Sequence, residues 1–76
     1  MNEIKTLLSH GKLPYPIGTL VEDTEIEDTG RLVGVLEEHS RETQQLVARR
    51  AFMRPVGGGR EWEVPAERIR PVEDQS

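Results

Sequence analysis

The segment Leu46-Val47-Ala48-Arg49-Arg50-Ala51-Phe52-Met53-Arg54 decides how this chain folds. Its alanines and arginines favour a helix. Pro55 and Gly57-Gly58-Gly59 stop it at once, and Arg60-Glu61-Trp62-Glu63-Val64 then alternates polar and apolar residues, as a half-buried strand does. A segment followed directly by a glycine hairpin and a strand is better read as a strand, bulged near Arg49-Arg50. If it were helical, the all-β reading and the arginine map built on it would both fail.

Arg31-Leu32-Val33-Gly34-Val35-Leu36-Glu37 is the clearest strand, rich in β-branched and aliphatic residues. Gly34 in its middle marks a bulge, a sharp bend or the close approach of another backbone. His39-Ser40-Arg41-Glu42-Thr43 supplies the turn between these two strands. Upstream, Thr19-Leu20-Val21 reads as a short strand that runs into an acidic, solvated loop from Glu22 to Asp28, closing on Asp28-Thr29-Gly30. Downstream, Pro65-Ala66-Glu67-Arg68 is one helical turn with proline at its first position, and Ile69 to Val72 closes as a last strand. At the other end, Asn2 to Gly11 predicts a short helix. Asn2 is its N-cap, Gly11 its stop, and Ile4, Leu7 and Leu8 share one face. Leu13-Pro14-Tyr15-Pro16 then forces an extended connection. The expected fold is mainly all-β. Residues 1–13 form the N-terminal helix and linker, 14–72 a small, strongly bent barrel, and 73–76 a disordered tail.

Seventy-six residues hold one domain with a thin core. Without cysteine there is no disulfide, thiolate metal site or cysteine nucleophile. No apolar run approaches the roughly 18 residues of a membrane span, and Met1 to Leu8 carries Glu3 rather than a signal-like apolar stretch. A soluble cytoplasmic domain is expected. Its charge is uneven. Residues 1–38 hold three bases against eight acids, whereas residues 39–76 hold seven arginines against six acids. The net charge of −4 argues against non-specific polyanion binding, but a local arginine face can still act locally.

Enzyme chemistry finds little support. His10 and His39 fall in predicted polar turns, far apart in sequence, and no serine sits in a nucleophile elbow. The acidic loop lacks the spacing of a calcium loop, and no cofactor or metal is expected. Gly57-Gly58-Gly59 leads into a strand rather than a helix, so it reads as a hairpin and not a phosphate cradle. Trp62 is the one tryptophan, and the plainest role for it is to plug the core. Arg49, Arg50 and Arg54 lie on one predicted strand, with Phe52 among them and Arg60 across the hairpin. Guanidinium groups there suit carboxylate, phosphate or stacked-base contacts, or pairing with Glu61, Glu63 and Glu67 of the same chain.

From residue 17 to 72 the chain resembles Src-homology-3-like barrels, and within them KOW and Tudor modules. Gly18-Thr19-Leu20-Val21 matches the opening strand and Gly30-Arg31-Leu32-Val33-Gly34-Val35-Leu36 the second. Trp62-Glu63-Val64-Pro65-Ala66-Glu67-Arg68-Ile69 matches the ending of strand, helical turn and strand. Arg54-Pro55-Val56-Gly57-Gly58-Gly59-Arg60-Glu61-Trp62 is also similar to a segment of small uncharacterised actinobacterial proteins. The resemblance implies a five-stranded barrel that binds partners rather than catalyses.

The expected function is therefore that of a non-catalytic protein-interaction module. A face of Arg49, Arg50, Phe52, Arg54, Arg60 and Trp62 would meet an acidic or mixed partner surface. The helix bearing Ile4, Leu7 and Leu8 would either cover the barrel's open end or make a homodimer contact. The competing reading is nucleic-acid binding by the same arginine face, as KOW-like modules bind RNA. A third is an enzyme accessory or an allosteric small-molecule site.

Overall fold

The computed structural model describes residues 6–72. It holds strands β1 (Thr6–His10), β2 (Leu20–Asp23), β3 (Asp28–Ser40), β4 (Leu46–Pro55), β5 (Trp62–Pro65) and β6 (Ile69–Pro71), with one 3-10 turn, Ala66–Arg68, before the last. All six strands lie in one antiparallel sheet of order β5-β4-β3-β2-β6, with β1 also paired to β3. The protein is thus mainly β, as its strand-forming sequence predicts.

β3 is the spine. Its 13 residues extend about 43 Å at the usual rise, and the molecule is 49 Å long. β4 pairs along one whole edge of β3, from Gly30 opposite Pro55 to His39 opposite Leu46. The other edge is shared. β2 takes its start, with Leu20 opposite Arg31, and β1 takes its end, with Thr6 opposite Ser40. The core gathers at the β2 end, where Val21, Leu32, Val35, Ala51, Met53, Val64 and Ile69 turn inward and Leu13, Tyr15 and Trp62 pack against them. The β1 end is a three-stranded arm that leaves Leu7, Leu8, Leu46 and Val47 exposed.

Leu46–Pro55 is a strand, as its neighbours require, and its register slips at Val47 rather than at Arg49-Arg50. Of the bulge, bend or close approach read at Gly34, the structure has a bulge beside it, since β3 carries an extra residue between Leu32 and Gly34. Two expectations are corrected. The sheet has six strands rather than five and does not close into a barrel. The N-terminal helix is not found either: Thr6–His10 is a strand, while residues 1–5, Ile4 among them, lie outside the described residues. Adjacent strand residues point to opposite faces, so Leu7 and Leu8 share no helical face for a cap or a dimer contact. A two-turn helix is marginal alone, and the open edge of β3 at Leu36–Ser40 offers these residues a full ladder instead. Among the described residues no helix is long and apolar enough to cross a membrane.

Gly30 shows how tightly the strands meet. A Cβ there would lie 2.6 Å from the Arg54 carbonyl oxygen and 3.2 Å from the Trp62 ring, whereas one at Gly34 would lie 4.0 Å from Phe52. Gly30→Ala should therefore destabilise by about 1–3 kcal/mol in urea denaturation. Gly34→Ala should stay within about 1 kcal/mol of the parent. Equal losses at the two positions would contradict the β3–β4 packing.

Candidate functional site

Alternation along β4 divides its side chains between two surfaces. Ala51 and Met53 are fully buried, while Arg50 and Arg54 are exposed on the outer face with Phe52 half-buried between them. Phe52 is registered opposite Gly34 on one side and Glu63 on the other. The missing side chain at Gly34 leaves the space over which the Phe52 ring lies.

The outer arginines are laced to acids. Arg50 is ion-paired to Glu38 at 2.6 Å and donates to Glu63 at 3.0 Å, bridging β3 and β5. Arg54 Nη2 lies 2.9 Å from Glu61 Oε2. Exposed pairs of this kind are worth about 0–1 kcal/mol, so a partner carboxylate can displace them at little cost. Arg60 is exposed in the glycine loop and makes no hydrogen bond or ion pair among the described residues. Gly57, Gly58 and Gly59 there all have positive φ, which the hairpin reading requires.

Two of the six expected site residues lie elsewhere. Arg49 alternates to the opposite face, where its Nε donates to Glu37 Oε2 at 3.0 Å. Trp62 is registered opposite buried Met53 and packs on the core. Arg31, which sequence reasoning did not single out, joins the outer face. It stands directly opposite Arg54 across the β3–β4 ladder. Its Nη1 donates to the Gly18 carbonyl at 3.3 Å, and it makes no ion pair among the described residues. Like charges placed opposite each other on a ladder repel. Only the register of the two strands reveals this pair, and no local sequence signal carries it.

The indole of Trp62 leads to the one buried charge among the described residues. Val21 and Asp23 alternate inward on β2, so Asp23 is fully buried rather than part of a solvated acidic loop. Its carboxylate accepts from Arg68 Nε at 2.9 Å and Nη2 at 2.7 Å, and from the Glu25 backbone N–H at 3.1 Å. Trp62 Nε1 adds a longer contact at 3.4 Å. The Arg68 hydrogen bonds outweigh desolvation and hold the Asp23 pKa down at about 2, against an ordinary 3.8. Arg68 in turn is held above the ordinary arginine value by the same hydrogen bonds. His39 Nε2 lies 3.8 Å from Glu37 on the strand, not in a turn. Among the described residues no three His, Asp or Glu side chains are placed to hold a metal ion.

Because the folded pKa of Asp23 lies below its unfolded value, its carboxylate stabilises the fold above about pH 4. That contribution fades as the pH falls through about 2. Its size is about 1–2 kcal/mol once solvent screening at the partly exposed Arg68 is allowed for. Asp23→Asn should cost at least that much at pH 7 and remove this part of the acid loss. A variant as stable as the parent at pH 7 would show that the buried pair is not stabilising.

Comparison with family models, with curated proteins and with solved structures finds no match to this chain.

Proposed function

We propose that the protein is a non-catalytic, cytoplasmic interaction module. It binds an acidic or mixed partner surface through the outer face of β3, β4 and the β4–β5 loop. Arg31 and Arg54 form the centre of this face, Phe52 is its apolar contact, and Arg50 and Arg60 flank it. The observation that carries the reading is the direct opposition of Arg31 and Arg54 on the ladder, with Glu61 the one carboxylate among the described residues bound to either. A partner carboxylate placed between two guanidinium forks would relieve their repulsion and gain charge-assisted hydrogen bonds. The strand, 3-10 turn and strand at Trp62–Pro71 support the Src-homology-3-like reading of the fold, although the sheet stays open.

Glu38, Glu61 and Glu63 are interleaved with these arginines. Carboxylates at that density disfavour a phosphate backbone and suit a partner surface of mixed charge. Nucleic acid is the alternative that the test separates.

An affinity pull-down from lysate, with and without nuclease, compares the parent with Arg31→Glu/Arg54→Glu after both are shown to melt cooperatively. Protein bands that resist nuclease and vanish in the variant are expected. Bands lost on nuclease treatment would overturn the protein-partner reading in favour of nucleic acid. Identical captures from the two proteins would overturn the choice of face.

A further inference from the structure

A pocket of about 420 Å³ opens between the chain segment at residues 11–17 and the inner side of the sheet. Leu32 and Val35, both core residues, form its floor, and Leu13, Tyr15 and Ile17 form its walls. This volume lies within the roughly 300–1,000 Å³ typical of small-molecule sites. The wall is built in advance of any ligand. Its start is tied by the Gly11 N–H to the Val35 carbonyl at 2.9 Å, and its end by the Gly18 N–H to the Leu32 carbonyl at 2.7 Å. Thr19 closes the turn with its N–H and its hydroxyl on the Pro16 carbonyl, at 3.2 and 2.7 Å. Pro14 and Pro16 fix their own φ and restrict the residues before them. A preformed apolar pocket loses little entropy when it is filled.

Two features say what fills it. Ile17 is 58% exposed beside the pocket, an apolar surface that a ligand's hydrocarbon would cover. Lys12 also lines the pocket, and its ammonium has no ion-pair partner among the described residues. Arg31 and Arg60 share that state, whereas Arg49, Arg50, Arg54, Arg68 and Arg70 each hold a carboxylate. The Tyr15 hydroxyl likewise has no hydrogen-bond partner among the described residues. We infer that this pocket binds a small amphipathic carboxylate, with its hydrocarbon body on Leu13, Tyr15, Ile17 and Val35 and its carboxylate on Lys12. The site shares no residue with the outer arginine face and does not depend on it.

Octanoate is the probe, and octanamide is its uncharged counterpart of equal length. Amide chemical shifts of the full chain are followed by NMR during titration at concentrations below micelle formation. Saturable octanoate shifts are expected at Gly11, Lys12, Tyr15, Ile17 and Val35, with octanamide about three- to tenfold weaker. Lys12→Gln, at an exposed position, should bring octanoate down to the octanamide affinity. Ile17→Gln should weaken both probes while leaving their ratio unchanged. Equal binding of the two probes by the parent protein would overturn the assignment. So would unsaturable shifts, or shifts spread over Leu8 and Val47.

Discussion

The Asp23 carboxylate, buried without residual exposure, is the constraint around which the rest of the molecule is arranged. A carboxylate in that position must be paired and fully hydrogen-bonded. Arg68 meets it with two donors, while the Trp62 indole and the Glu25 backbone complete the shell. Thr24 returns the contact, its N–H and hydroxyl both donating to the Arg68 carbonyl at 2.9 and 2.7 Å. The β2–β3 turn and the 3-10 turn are thereby clasped together. That clasp sets where β6 begins, and β6 lies against β2 with Ile69 opposite Asp23 itself. In a sheet whose ends are not joined by a ladder, this polar clasp joins the segment after β5 to β2.

The same clasp determines which surface is left for partners. With Trp62 turned toward Asp23, the tryptophan supports the core and Gly30 must stay small beneath it. The outer face keeps Phe52 as its aromatic residue, and its chemistry is that of guanidinium groups held loosely by neighbouring acids. The inner side keeps the apolar pocket beside Tyr15. β3 thus separates a charged contact surface at Arg31 from a hydrocarbon-lined one at Leu32, because alternate residues of one strand must face opposite ways.

Much of the fold was legible because it is written locally. The aliphatic run at Arg31–Glu37, the alternation ending at Val64, the proline-started turn and the glycine hairpin each identify themselves within a few residues. The strand over Leu46–Arg54 followed from its neighbours rather than from its own propensities. What was not legible is non-local. Leu7 and Leu8 fit a helical spacing as readily as a strand, and the free edge of β3 decided between the two. Asp23 sits within an acidic run that reads as solvated, and only its pairing with Arg68, 45 residues away, explains its burial. The opposition of Arg31 and Arg54, and the departure of Arg49 and Trp62 from the arginine face, depend on strand register. A one-residue slip would exchange every face, and composition carries no record of it.

The most direct test of this account is a double-mutant cycle on the clasp. Asp23→Asn, Arg68→Gln and the double variant are unfolded in urea at pH 7 beside the parent. The account predicts a coupling energy of about 1–3 kcal/mol, with the double variant far less damaged than the two single losses add to. Additivity to within about 0.5 kcal/mol would contradict it, because the two side chains would then act independently and something else would hold the last strand in place.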